Sequence, residues 1–303
     1  MKSTIWVEKF RPKTLGDVVF QDDRQQKAFT AFVEAKDIPH LLLHGVQGTG
    51  KTTVSKALLR DLGVDNSDIL RINCSDEKIE ALRNKVSNFA MTLPIGKFKV
   101  VQLEEFDYLS LDGMALLRSL IEDSSANCRF IATCNYINKI IPPLRSRFQE
   151  FNFKAPDKEK IALRMVDILE RENIAYDVED VVTYIDVGYP DIRKTIQLLQ
   201  ANASSGKLLP ARDAANSAND WKFGLLDCLT KGDLKTARKL VCESSTREEH
   251  EDVYRFLYEN VDKIKGVDSD AAVVTIAEHL YRHSIVADTE INLAACFISL
   301  SKL

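Results

Sequence analysis

The sequence predicts an α/β fold with a parallel sheet in its first half, followed by a helical second half. Three observations support this prediction. Apolar runs typical of strands alternate with helical patterns up to Phe153. One of these strands leads directly into a glycine-rich turn that opens a helix. Beyond Phe153, nearly every segment has apolar residues at helical spacing. Strands that alternate with helices favour a parallel sheet with helices on both faces.

The elements of the first half follow from apolar periodicity and from end signals. The opening segment from Trp6 to Pro12 favours an extended chain. We expect strands over the apolar runs at 41–43, 69–73, 99–103 and 129–134. We expect helices over 24–33, 54–62, 76–89 and 113–121, the third of them with Ser75 as its N-cap.

The second half predicts helices over 157–172, 177–186 and 190–203, and several more between 219 and 302. A polar stretch rich in small residues at 211–219 indicates a break between two helical regions. We therefore expect three domains: an α/β domain at 1–154, a small helical domain at 155–214 and an all-α domain at 215–303.

The composition is that of an ordinary soluble globular protein, with 45% hydrophobic and 28% charged residues in 303. The net charge of −4 means that any DNA contact must come from a local basic surface. No apolar stretch approaches the length of a membrane span, and the N-terminus lacks the apolar core of a secretory signal. Six cysteines without metal-ligand spacing indicate reduced, buried thiols in a cytosolic protein.

The segment Gly45–Thr52 matches the phosphate-binding pattern G-x-x-x-x-G-K-[ST] at every fixed position. An apolar strand precedes it and a helical pattern follows it, which is the required context. Backbone N–H groups of the loop and the helix N-terminus then point at the phosphates. Lys51 is expected to reach the β- and γ-phosphates, and Thr52 is expected to hold Mg²⁺. The sequence therefore predicts a nucleoside triphosphate site.

Hydrolysis needs further groups, and two strand ends supply candidates. The strand at 99–103 ends in Glu104 and Glu105. The first acid is expected to hold Mg²⁺, directly or through water, and the second to polarise the attacking water. The strand at 129–134 is followed by Asn135, whose amide can orient that water or sense the γ-phosphate.

Two arginine segments are further candidates for contacts with phosphate. Arg145 and Arg147 share a short segment, where they are either a solvated pair or the source of an arginine finger that acts on a neighbouring subunit. Arg193 lies near the start of a later helix and could fold back onto the same phosphate.

Seven segments stand out when they are taken together. They are WVEKFRPKTLGDVV (6–19), IPHLLLHG (38–45), the P-loop, LEEFD (103–107), ATCN (132–135), PPLRSRF (142–148) and YPDIRK (189–194). In these segments the chain resembles the clamp-loader small subunits of the AAA+ superfamily, which include replication factor C small subunits and the ATPase subunit of tailed-phage clamp loaders. The segments run in the family's order over about two-thirds of the chain. The opening WVEKFRP and the pair Ser146-Arg147 are the most specific, because most other AAA+ proteins lack them.

This resemblance implies an AAA+ P-loop NTPase domain with a parallel sheet core, then a helical lid and an all-α collar that serves oligomerisation. It implies Glu105 as catalytic acid, Asn135 and Arg193 as sensors, and Arg147 as the finger. Phosphate and Mg²⁺ would be bound by Gly45, Gly48, Thr49, Gly50, Lys51, Thr52, Thr53 and Glu104, and the adenine base by Val7, Arg11, Pro12 and Val19. Lys78 and Arg83 would track the DNA backbone, and the segment 89–95 would contact the clamp.

The function implied by the resemblance is that of an ATP hydrolase which uses ATP and Mg²⁺ to open a sliding clamp and load it on primer-template DNA. The implied partners are the clamp, the other subunits of a pentameric assembly and DNA, with no membrane. The location would be the cytoplasm, that of the host if a phage encodes the chain. Two alternatives stay open: a non-catalytic structural subunit of such an assembly, or another AAA+ DNA motor such as a branch-migration helicase.

Three positions depart from the family pattern. Glu104 stands where the family usually has Asp, Phe148 follows the finger where Cys is usual, and Met114 replaces a glutamine that couples DNA to the ATP site. Phe148 is expected to be a packing residue. The chain also lacks the cysteine zinc module of bacterial clamp-loader ATPase subunits, and with the short collar this favours the phage type.

Overall fold

The computed structural model describes residues 5–21, 23–154, 156–204, 206–216 and 221–303. The chain divides into two compact units. The first contains the residues through Ile168 together with Gly188–Gln197, and the second contains Leu169–Val187 and Leu198–Leu303. The expected division into three domains stays a prediction, and its boundary near residue 214 falls inside a helix at Ala211–Asn216.

The first unit is built on a five-stranded parallel sheet, as the sequence predicts. Its strand order is β2-β3-β4-β1-β5. The strands are β1 (Leu41–Gly45), β2 (Ile69–Asn73), β3 (Lys99–Glu104), β4 (Cys128–Cys134) and β5 (Gln149–Phe153). The sequence analysis did not predict β5. It is an edge strand that pairs only with β1, and its polar and apolar residues alternate instead of forming an apolar run.

Helices cover the sheet on both sides. The helices of the first unit are α1 (Trp6–Lys9), α2 (Asp23–Ala35), α3 (Lys51–Asp61), α4 (Ile79–Met91), α5 (Leu111–Ser124) and α6 (Pro142–Arg145). Helices α7 (Lys158–Arg171) and α9 (Ile192–Asn202) begin in the first unit and end in the second, and α8 (Val178–Gly188) belongs to the second apart from its last residue. Successive strand residues contribute to two separate apolar clusters, as the alternation of side chains across a sheet requires. Leu42 and Val101 lie in one cluster, and Leu41 and Val100 lie in the other.

Two local expectations are wrong. The opening segment is not extended, because Trp6–Lys9 forms a helical turn that buries Trp6. The helix expected from Asp76 begins at Ile79 instead, with Lys78 at the N-cap. Ser75 cannot cap it, because the Asn73 side chain accepts a hydrogen bond from the Ser75 N–H and donates one to Asp76, which holds these residues in a turn.

Among its described residues, the second unit is helical except for one short antiparallel strand pair that the sequence analysis did not predict, β6 (Ala203–Ser204) with β7 (Lys207–Leu208). Its further helices are α10 (Ala211–Asn216), α11 (Trp221–Lys231), α12 (Leu234–Ser244), α13 (His250–Glu259), α14 (Ser269–His283) and α15 (Thr289–Leu300). A buried polar network joins three of them: the Asn292 amide donates to the Tyr254 hydroxyl at 2.8 Å and lies 3.1 Å from the His279 ring. Within the described ranges, none of the helices is both long and apolar enough to cross a membrane.

Candidate active site

The glycine-rich loop lies between the buried strand β1 and the N-terminus of α3. Gly45 and Gly48 have φ values of +134° and +78°, which favour glycine. A Cβ on Gly45 would lie 2.1 Å from the Phe153 carbonyl oxygen of β5, and one on Gly48 would lie 2.1 Å from the Asp191 carboxyl group. Close packing on both sides therefore explains two of the glycines in the motif. The first residues of α3, where a helix has free N–H groups, line the cavity described below.

Lys51 is buried and is held by oxygens of its own chain. Its Nζ donates to the carbonyl oxygens of Gly45 at 2.8 Å and Val46 at 2.7 Å, and to the Asn135 side-chain oxygen at 2.9 Å. Burial, assisted by the nearby positive charge of Arg193, lowers the pKa of the Lys51 ammonium to about 8. The three partners are neutral, so this cation has no full counter-charge in direct contact.

The acids predicted at the end of β3, Glu104 and Glu105, line the same cavity as this lysine. Glu105 adopts a left-handed conformation (φ +55°) and is exposed. Such strain in a residue other than glycine is often found at functional sites. Asp107 is buried and accepts a hydrogen bond from the Tyr136 N–H at 3.0 Å, so it ties the loop that carries Glu105 to the loop that carries Asn135.

These groups line one cavity of about 240 Å³ within the first unit. Its walls include nine residues predicted for phosphate, metal and catalysis: Gly48, Gly50, Lys51, Thr52, Thr53, Glu104, Glu105, Asn135 and Arg193. Arg11, predicted for the adenine base, also lines it. Gly45 is not in the wall but contacts Lys51 through its carbonyl oxygen. The structure therefore brings together residues from five separate motifs.

A smaller apolar cavity of about 80 Å³ shares Arg11, Gly48 and Arg193 with the first. Its walls contain Thr49 and the residues that the resemblance assigns to the adenine base, Val7, Arg11, Pro12 and Val19. An apolar niche next to a polar phosphate cavity suits a nucleoside triphosphate, because its base is flat and mostly apolar while its phosphates are charged.

Thr52 and Glu104 bring side-chain oxygens to the wall of the larger cavity. Mg²⁺ prefers oxygen ligands. Glu104 is paired with Lys56 at 3.3 Å. No group of three or more metal-ligating side chains occurs among the residues that the structure describes. Mg²⁺ is usually held by one or two protein groups together with substrate phosphates, and Thr52 and Glu104 supply two such groups.

Arg147 does not line either cavity. Its guanidinium donates to the Glu122 carboxylate at the end of α5 and to the Pro143 carbonyl oxygen. Arg145 forms a separate bidentate pair with Glu150, at 2.9 and 3.0 Å. Each arginine therefore has a carboxylate partner within its own chain, and the choice between a solvated pair and a finger stays a prediction. Phe148, expected to be a packing residue, is buried against Phe106 with ring centroids 5.9 Å apart.

The residues predicted for DNA and clamp contacts also lie away from the cavities. Lys78 and Arg83 are exposed at the start of α4. At the other end of this helix, Met91, Leu93 and Ile95 are each more than 70% exposed. The position at which the family has a coupling glutamine, Met114, is buried in the apolar core and offers no polar group.

Several residues of the site were missed from the sequence. Lys56 lies four residues after Thr52 on α3, and this spacing could have placed it on the same helix face. Asp191 caps the start of α9 through the N–H groups of Arg193 and Lys194. Its contact with Gly48 has no local sequence signal, because it joins segments more than a hundred residues apart. The same holds for Ile192 and Ile196, which line the apolar cavity.

Comparison with known proteins identifies the first unit and relates the chain to one group of relatives. Residues 41–155 match the family described as "ATPase family associated with various cellular activities (AAA)". The replication factor C small subunit of Archaeoglobus fulgidus is 39% identical over 246 residues, 78% of this chain and 77% of that protein. The replication factor C small subunits of Saccharolobus solfataricus and Methanococcus maripaludis are each 43% identical to this chain. The alignments cover 69% and 66% of this chain, respectively, and 64% of each relative.

The fold is shared with solved structures of much lower identity. Two variants of RuvB from Thermotoga maritima align with TM-scores of 0.55 and 0.58 at 18% and 17% identity. The alignments cover 70% and 72% of this chain, and 68% and 79% of the RuvB chains. At this level of identity the likeness concerns the fold alone, which is that of an AAA+ P-loop domain followed by helices.

Proposed function

Because the chain belongs to the family of replication factor C small subunits, we propose that it is an ATPase subunit of a loader that places a ring-shaped sliding clamp on DNA. One observation carries the ATPase part of the proposal. Lys51, Glu104, Glu105, Asn135 and Arg193 line a single cavity beside an apolar niche. A subunit that had lost catalysis would typically lack one of these groups.

In this proposal, the chain binds ATP by exchanging weak internal partners for phosphate oxygens. The N–H groups of the P-loop and of the α3 N-terminus donate to the phosphates. Lys51 moves its donors from neutral oxygens to the β- and γ-phosphates. Val7, Pro12 and Val19 hold the base, and the shared wall residue Arg193 approaches the phosphates from α9.

Hydrolysis then depends on residues that position water and stabilise charge. Glu105 accepts a proton from the attacking water and orients it, and the Asn135 amide fixes the same water or the γ-phosphate. Thr52 and Glu104 would hold Mg²⁺, which when bound neutralises charge on the β- and γ-phosphate oxygens. Arg147, which lies outside the cavity of its own chain, acts on the ATP of a neighbouring subunit.

The partners in this proposal are the clamp, the neighbouring subunits and primer-template DNA. The exposed apolar side chains of Met91, Leu93 and Ile95 provide a surface suited to a protein partner. Exposed Lys78 and Arg83 on the same helix suit DNA phosphates. The all-α region at 215–303 is proposed to hold the assembly together, and the lid would comprise residues 155–214.

The decisive experiment measures ATP turnover by the full chain with its partner subunits, with and without the clamp and primed DNA. We expect slow turnover alone and faster turnover when both are present. The matched variant Lys51→Ala should lose ATP binding and stimulation together, because it removes the P-loop cation. Stimulation by DNA without any requirement for a clamp would favour a different AAA+ DNA motor. Wild-type turnover in the Lys51→Ala assembly would contradict the proposed site.

A further inference from the structure

The arginine assigned as the finger is folded onto its own subunit. Arg147 donates from its two terminal nitrogens to the Glu122 carboxylate and to the Pro143 carbonyl oxygen. Its side chain is only 22% exposed, whereas that of Glu122 is 54% exposed. The Arg147 Nε is buried and has no hydrogen-bond partner. Most of this guanidinium is therefore covered by the chain that carries it.

This conformation is incompatible with full use of Arg147 on a phosphate of another subunit. An arginine clamps a phosphate best with two parallel N–H donors, and here one terminal nitrogen is committed to a carboxylate while the Nε is inaccessible. A phosphate that approached from outside would also meet the negative charge of Glu122. The carboxylate and the phosphate therefore compete for the same cation.

We propose that Glu122 is a positioning residue that holds Arg147 in this folded-back state until a neighbouring subunit presents its nucleotide. This inference rests on the proposed function, because it concerns the proposed finger. The buried, unpartnered Nε disfavours the folded-back state, since an unsatisfied buried donor is costly. The charge of Glu122 offsets that cost. Release of Arg147 then requires a stronger anion, which is the triphosphate of the neighbour.

The segment contains its own control. Arg145 lies two residues before Arg147 and is paired with Glu150 through two ordinary hydrogen bonds. Both pairs join an arginine to a glutamate at the surface of the same unit, and only Arg147 is assigned to catalysis. Glu150→Gln therefore removes the same charge as Glu122→Gln and weakens an arginine–glutamate pair on the same segment without touching the finger.

The first test measures turnover by the full assembly without clamp or DNA. Glu122→Gln removes the charge but keeps an acceptor oxygen, so it should raise kcat about two- to fivefold, the factor by which an exposed ion pair biases an equilibrium. The KM for ATP should not change, because the finger acts mainly in the transition state. Glu122→Asp should behave like wild type, and Glu150→Gln should leave the rate unchanged. In the Arg147→Ala background, Glu122→Gln should have no effect.

The second test does not depend on activity. Phenylglyoxal modifies accessible arginines, and mass spectrometry of the isolated chain can compare Arg147 with Arg145. Glu122→Gln should increase modification of Arg147 and leave that of Arg145 unchanged. A fall in kcat, an unchanged kcat, or a rise that persists without Arg147 would overturn the proposal, as would unaltered modification of Arg147. Failure of the proposed function would appear separately, as normal turnover in the Lys51→Ala assembly.

Discussion

The chain holds its two key cations in different ways at two places in the first unit. Lys51, at the P-loop, donates only to neutral oxygens, and burial lowers its pKa to about 8. Arg147, on the segment that leads into β5, is paired with the carboxylate of Glu122. Neutral oxygens compete poorly with phosphate for an ammonium group, whereas a carboxylate competes well.

The difference indicates two modes of preparation for ATP. Lys51 is prepared to bind an anion, because its direct partners are neutral oxygens and a phosphate would supply the missing negative charge. Arg147 is already neutralised, so its action on ATP depends on displacement of Glu122. One chain thus contains the groups that bind ATP, whereas hydrolysis also requires Arg147 from a second chain. The predictions below alter one side of this comparison at a time, from the largest expected effect to the smallest.

Removal of the finger should separate catalysis from binding. Arg147→Ala in the full assembly should lower turnover by about 10³- to 10⁵-fold, the range for arginine fingers, because the charge that it stabilises develops in the transition state. ATP affinity, measured by titration calorimetry, should stay close to wild type. Arg145→Ala is the control and should keep its turnover. An equal loss in both variants would mean that the segment as a whole, and not Arg147, supports activity.

A side chain on Gly48 should damage the P-loop side only. Gly48→Ala introduces a Cβ at φ +78° and forces Asp191 away, so we expect a loss of stability of at least about 1–2 kcal/mol, the cost of the left-handed conformation. ATP affinity should fall as well. Gly63→Ala is the matched control, because Gly63 has a φ of +69° and no atom within 4 Å of an added Cβ. Denaturant titration that gave equal losses for both variants would show that the Asp191 contact is unimportant.

The pH dependence of ATP affinity should report on Lys51. Phosphate favours the charged ammonium, so ATP raises the lysine pKa from about 8 towards its ordinary value of 10.5. Between these values binding takes up a proton, and affinity should therefore fall as pH rises, by at most about tenfold per pH unit. Lys51→Arg stays charged and should lose this dependence. A flat profile for the wild type between pH 8 and 10 would contradict the assigned environment.

The smallest expected effect concerns DNA. Lys78 and Arg83 are exposed, and within the described part of the chain neither has an ion-pair partner. Lys78→Ala with Arg83→Ala should lower the slope of log affinity against log salt by about two units, one for each lost phosphate contact. Lys85→Ala is the control, because Lys85 is paired with Glu77. Unchanged affinity and slope in the double variant would show that α4 does not contact DNA. The comparison of Lys51 with Arg147 would not be affected.

The sequence predicts much of the site because its motifs are local. The P-loop lies between an apolar strand and a helix, and both Glu105 and Asn135 follow buried strands whose carboxyl ends must share one edge of a parallel sheet. Strand β2 is predicted to the residue, at Ile69–Asn73. Fully buried parallel strands give continuous apolar runs, which are strong signals.

The parts that could not be predicted depend on contacts between distant segments. Strand β5 has no apolar run, and only its pairing with β1 makes it a strand. The contact of Asp191 with Gly48 and the pair of Arg147 with Glu122 link side chains 143 and 25 residues apart. The predicted start of α4 at Asp76 was wrong, because side-chain hydrogen bonds of Asn73 compete with helix formation at Ser75.

The central claim is that binding is completed within one chain and catalysis between two. A mixing experiment tests it most directly. Subunits with a disabled P-loop but an intact finger (Lys51→Ala) are co-assembled with subunits that have an intact P-loop but lack the finger (Arg147→Ala), and the ATP turnover of the mixture is measured. The account predicts that the mixture regains part of the wild-type turnover, although neither variant is active alone. Turnover no higher than the sum of the two separate variants would contradict it.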